Sequence, residues 1–125
     1  MSLSASFSSA SFTPDRLVIS LDDVVSRKVT IAAGQNLVRG AVIGKITTGG
    51  KYSLSASAAS DGSQTPDAIL ADDCNATAAD TEAMAYFRVQ VNSAAVTLGA
   101  GHTVASIREG LRGKGIDLID TVGNA

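Results

Sequence analysis

The chain has no tryptophan, one cysteine, one histidine and two prolines in 125 residues, and its aromatics are three Phe and two Tyr. Each shortage closes a class of function. The lone Cys74 excludes an internal disulfide, and with His102 as the only histidine a Cys/His zinc site is out of reach. No run of about 18 apolar residues is present to span a membrane as a helix. The N-terminus lacks the basic and apolar segments of a secretory leader. The expectation is a soluble protein made in the cytoplasm. Ten Lys and Arg against twelve Asp and Glu leave a net charge of −2. The cations are scattered, whereas binding phosphates along a nucleic acid requires a clustered basic surface. Arg108, Arg112 and Lys114 come nearest to a cluster and read as a helix end facing water.

Large side chains are scarce as well. The apolar fraction is 45%, but much of it is alanine and valine. A chain of this length forms one domain burying roughly two-thirds of its extended surface. Burial contributes in proportion to apolar area, roughly 25 cal/mol per Å². A core poor in large residues makes the chain a candidate for stabilisation by association.

Residues with chemical potential do not assemble into a recognisable site. Asp72, Asp73, Asp80 and Glu82 form the one carboxylate-rich region, yet they lack the glycine-centred spacing of an EF-hand loop and read as solvated surface. His102 follows Gly99-Ala100-Gly101. No G-x-S-x-G elbow offers it a serine nucleophile, so it reads as a residue leading into a helix. Cys74 has no basic neighbour to favour a thiolate. The glycines of G-Q-N-L-V-R-G-A-V-I-G fit neither G-x-G-x-x-G nor the P-loop spacing, and they read as turns. No catalytic residue, metal ligand or cofactor is expected.

What is present is strand patterning. From Val29 to Ile46, and on to Leu70, short β-branched or alternating apolar runs are cut by Gly34, Gly40, Gly44, Gly50 and Gly62. Period-2 runs between glycine turns predict small antiparallel strands. Strands are expected at Arg27 to Ile31 and Ala41 to Ile46. Thr48-Gly49-Gly50 should be a hairpin turn returning through Lys51 to Leu54. Ala68 to Ala71 and Glu82 to Asn92 complete the body, with Ala85, Phe87, Val89 and Val91 sharing one buried face. Asp72 to Asp80 reads as a surface loop, and Asn92 to Leu98 as either a short helix or extended chain. Thr103 is a suitable N-cap for a helix from Val104 to Arg112, which Gly113 and Gly115 stop. Ile116, Leu118 and Ile119 make a last strand.

Ahead of this body lies MSLSASFSSASFT, a serine-rich stretch without charge. It buries too little to offset its ordering entropy and is expected to be flexible in isolation. Leu3, Ala5 and Phe7 nevertheless alternate with serines, and Phe12 and Pro14 follow, a strand pattern suited to pairing with another sheet. The fold class is therefore mainly β (α+β): a small β-barrel-like domain over residues 27–125 with one or two short helices. Residues 1–26 form a flexible arm and linker, in which the apolar run Leu17-Val18-Ile19 leaves room for one short strand.

The succession V-T-I-x-x-G-Q-x-L-x-R-G-x-V-I-G-K-I, then G-K-Y, then D-G-S-Q-T-P-x-A-I-L-A-D-D, resembles the lambda-type head decoration proteins of tailed phages. The resemblance resumes in T-V-A-S-I-R-E-G-L-R-G-K-G-I-D-L. It implies a virion structural protein, not an enzyme, that forms a homotrimer on the outside of an expanded capsid and stabilises it against packaged DNA. Its partner would be the major capsid protein, with no nucleic acid or membrane engaged. On this reading Leu3, Ala5, Phe7, Phe12 and Pro14 form a capsid-binding arm. Val96, Leu98, Val104, Ile107 and Leu111 are the candidates for the trimer interface. The phrase G-Q-N-L-V-R-G-A-V-I-G-K-I is also similar to half of a lipoyl or biotinyl hairpin, which would imply a carrier module. Lys45 and Lys51 lack the methionine or acidic neighbours of such a modified lysine.

Overall fold

The computed structural model describes residues 17–120. Eight strands, one helix and a 3-10 turn alternate along them. Strand β1 (Val18–Ile31) is followed by β2 (Gln35–Leu37), β3 (Val42–Lys45) and β4 (Tyr52–Leu54). Then come β5 (Pro66–Leu70), β6 (Cys74–Ala76) and β7 (Thr81–Asn92). A 3-10 turn (Ser93–Ala95), helix α1 (Val104–Arg112) and β8 (Ile116–Ile119) finish the described chain.

Five strands close into a barrel in the order β1-β4-β3-β5-β7, with β7 pairing back to β1. β8 joins as a sixth strand, parallel to β7 through Val89↔Ile116 and Val91↔Leu118. β2 and β6 form a separate antiparallel pair. The β3–β4 hairpin follows the expected pattern: Ile46 N–H donates to Lys51 O at 2.7 Å. Gly49 and Gly50 take φ of 91° and 74°, a region other residues adopt at a cost.

Alternation along the strands serves two cores. Val29, Ile31, Ile43, Ala68, Leu70 and Ala85 fill the barrel. Val42 and Ile69, their immediate neighbours on β3 and β5, point the other way and meet Val89, Val91, Ile116 and Leu118. Helix α1 covers this second core with Ile107 and Leu111, which are 3% and 0% exposed. The helix starts as its sequence requires. Thr103 Oγ1 accepts from Ser106 N–H at 3.1 Å, and Ser106 Oγ accepts from Thr103 N–H at 2.9 Å, a reciprocal cap that satisfies two otherwise orphaned donors.

Three features depart from the sequence reading. β1 begins at Val18 and not at Arg27, so most of the expected linker is strand. Its ladder with β7 slips between Ser20↔Gln90 and Val25↔Arg88, and Asp23 there takes φ 57°. Such a bulge hides strand periodicity in the sequence and sharpens the local twist. Secondly, Cys74–Ala76 lies in strand, paired with Gln35–Leu37, inside what reads as a turn and a loop. Thirdly, Ala85 and Phe87 belong to the barrel core while Val89 and Val91 belong to the second core. β7 outlasts its neighbour β5, with which it pairs at Tyr86 and Ala85; β8 takes over the same edge from Val89 onward.

Candidate interaction surfaces

The polar residues with catalytic potential are committed to holding loops. His102 Nε2 lies 3.0 Å from the carbonyl oxygen of Gln64 and 3.1 Å from Ser55 Oγ. A carbonyl only accepts, so Nε2 carries the hydrogen and does not act as a base toward Ser55. Ser55 is also fully buried, at 0% exposure. The pair ties the Ser55–Gln64 loop to the residue preceding the helix cap. Cys74 is buried, and that burial raises its thiol pKa.

The acidic region is likewise structural. Asp73 accepts from Arg39 N–H at 2.8 Å, and Asp80 accepts from Ala33 N–H at 2.9 Å. Lys51 pairs with Asp80, and this contact, followed by the Ala33 hydrogen bond, lowers the pKa of the Asp80 carboxyl. Among the described residues, no group of three or more His, Cys, Asp or Glu side chains could hold a metal ion. The three cations around the helix end are each paired. Arg108 meets Asp120 at 2.7 Å, Arg112 meets Glu109 at 3.1 Å, and Lys114 meets Asp67 at 3.0 Å.

Three surface features remain. The first is the rim of the second core, where Val96, Leu98 and Val104 are half-buried against it. The second is a polar cleft of about 570 Å³ at the β1 bulge, with Asp23, Arg88, Gln90 and Asp117 in its walls. The third is a groove of about 340 Å³ between β1 and β4. Its existence follows from the topology. β1 pairs with β7 along its length, but on its other edge it meets β4 only at Ile31↔Tyr52. Ala32 N–H donates to Tyr52 O at 2.8 Å and seals that one point.

Phe87 and Tyr52 pack edge to face in the groove with centroids 6.1 Å apart. The Arg27 guanidinium sits 5.6 Å from the Phe87 centroid, a favourable cation–π position. Burial, then the nearby Asp67 carboxylate, raises the Tyr52 phenol pKa. Arg27, Lys28 and Lys45 line the groove against one carboxylate, Glu82. Lys28 and Glu82 are 3.6 Å apart and both about two-thirds exposed (65% and 66%), a pair worth little in water. A chain of net charge −2 thus carries a locally positive groove. Sequence reasoning missed it because Arg27, Lys45 and Phe87 are far apart along the chain. The adjacent Arg27-Lys28 was the one visible signal.

A family model described as bacteriophage lambda head decoration protein D matches residues 7–115. The chain belongs to this head decoration family. A search of curated proteins found no match. The family is structural and associates with the phage capsid, which suits a decoration protein whose polar groups are spent on loop architecture. The carrier-module reading fares worse: Lys45 and Lys51 flank the β3–β4 turn instead of occupying its tip, and Lys51 is held by Asp80.

The structure divides the candidate trimer residues of this decoration protein. Ile107 and Leu111 are buried in the chain's own second core, beneath the helix. Val96, Leu98 and Val104 keep partial exposure. The candidate arm residues Leu3, Ala5, Phe7, Phe12 and Pro14 lie outside the described residues.

Proposed function

We propose that the protein binds the outer surface of an expanded tailed-phage capsid as a homotrimer at three-fold sites and holds the shell against the pressure of packaged DNA. The match of residues 7–115 to the head decoration family carries this reading. The physical logic is mass action: a ligand that binds only the expanded shell stabilises it by its binding free energy. Copies that each bridge neighbouring subunits add multivalency. No step requires catalysis or a cofactor.

On this reading, three copies associate through Val96, Leu98 and Val104 at the rim of the helix-covered core. A closed cyclic assembly repeats one modest contact three times. The arm carrying Leu3, Ala5, Phe7, Phe12 and Pro14 adds a strand to a coat-protein sheet, where main-chain hydrogen bonds supply affinity and alternate side chains specificity. Co-sedimentation with expanded and unexpanded procapsids tests the function. Selective binding to expanded shells is expected, and equal or absent binding would refute it. Phe7→Ala with Phe12→Ala should weaken shell binding while the chain still folds and trimerises.

A further inference from the structure

The edge of β1 from Val24 to Thr30 has no strand beside it among the described residues. Seven residues of strand span about 20 Å at roughly 3.3 Å per residue. A bare edge of this length offers unpaired N–H and C=O groups to any extended chain. Four consecutive β1 residues, Arg27 to Thr30, line the adjoining groove. The groove therefore runs along the strand edge and does not merely open between side chains. Its aromatic residues, Phe87 and Tyr52, provide apolar area, and its cations outnumber its carboxylate three to one. Arg27 and Lys45 make no ion pair among the described residues.

We propose that this edge and groove bind an extended, acidic peptide segment of the shell protein by strand addition, a second contact beside the arm. The assignment rests on the proposed capsid docking. Backbone pairing along Val24–Thr30 fixes the register of the incoming strand. Its side chains on one face lie over Phe87 and Tyr52, while its carboxylates meet Arg27, Lys28 and Lys45. Specificity comes from charge: a neutral or basic strand would leave Arg27 and Lys45 without a counter-charge, since Lys28 already faces Glu82. In the free protein the same cations repel a second copy of this edge.

Amide hydrogen exchange on the full chain, free and bound to expanded shells, tests the edge directly. Amides of residues 24–30 on the open edge should exchange rapidly in free protein and become protected on the shell. The charge contribution is tested by combining Arg27→Glu, Lys28→Glu and Lys45→Glu. Shell affinity should fall about tenfold or more, while Arg112→Glu on α1 leaves it unchanged. Should the triple variant misfold, Lys45→Glu alone should show a smaller loss in the same direction. Undiminished binding by the folded triple variant overturns the proposal, as do edge amides that stay unprotected on the shell. Protection already present in free protein overturns it too. If deleting residues 2–13 abolishes that protection, the chain's own arm is the occupant; if dilution abolishes it, a second copy is. A wild-type chain that sediments with no shell brings down the docking function and this contact together, whereas binding without edge protection removes this contact alone.

Discussion

The barrel interior and the core beneath the helix are made by the same strands, yet they are finished differently. Val42 and Ile43 are adjacent and 1% and 0% exposed, but the first belongs to the helix-covered core and the second to the barrel. Strands surround the barrel interior, where Ala41, Ala68, Ala76 and Ala85 sit among isoleucines, leucines and Tyr52. The outer core has a sheet on one side and a single nine-residue helix on the other. Its rim stays half open at Val96, Leu98 and Val104. Closing a sheet on itself removes surface that a lone helix laid across a sheet leaves at its margins. The margin is therefore where association is expected to add stability.

Cavity-forming substitutions should break this comparison most forcefully. Ile43→Ala in the barrel and Leu111→Ala under the helix, both at fully buried positions, should each cost about 2–5 kcal/mol in denaturant unfolding. If the two cores are one cooperative unit, a single transition shifts in both variants. A second transition in Leu111→Ala alone would show that the helix-covered core opens separately.

Glycine substitutions sharpen the contrast, since one chemical change should act with opposite signs. A Cβ on Gly44, where β3 crosses beneath the loop before β5, would collide with Ser63 O and lie 2.7 Å from Thr65 O. Gly44→Ala should destabilise by about 1–3 kcal/mol. A Cβ on Gly110 of α1 meets nothing within 4 Å. Gly110→Ala should stabilise by up to about 1 kcal/mol through helix propensity. Thermal unfolding of the pair reads both.

At the open rim, Val96→Ser with Leu98→Ser should change folding stability by about 1 kcal/mol while abolishing association in sedimentation velocity. A variant that unfolds outright would show that these side chains belong to the core and not to a margin.

The smallest effect is electrostatic. Asp120 accepts from Ser93 and pairs with Arg108 beside the outer core, and these contacts, in that order, lower its carboxyl pKa. Asp80 is lowered by Lys51 and Ala33 beside the barrel. A carboxyl with a depressed folded pKa stabilises the protein above its unfolded value, about 3.9. That stability is lost as pH falls through the folded value. The melting temperature should therefore decline below about pH 4, and less steeply in Asp80→Asn or Asp120→Asn. An unchanged acid slope in both variants would remove these two carboxylates as contributors.

Legibility in the sequence followed the range of the physics. Helix α1 was readable to the residue because a cap acts within one turn: Thr103 and the stripe of Ile107 and Leu111 announce it. That stripe did not disclose whether it would face a partner or the chain's own sheet; the structure turns both residues onto the sheet. The β3–β4 turn and the long strand ending at Asn92 were readable from Gly49-Gly50 and from alternation. β1 ahead of Arg27 was not, because its bulge breaks the period that reveals a strand.

By itself the sequence determined where the chain turns, where its helix begins and which stretches alternate, since torsional preference, capping and periodicity are local. Its motif pattern also carried the family. Only the tertiary structure decided which face of each alternating strand belongs to which core, that Gln35–Leu37 pairs with Cys74–Ala76, and that Arg27, Lys45 and Phe87 meet along an open edge. These outcomes depend on closing the barrel between β1 and β7. That closure joins residues up to some seventy positions apart (Val18 with Val91), and no local preference along the chain encodes it.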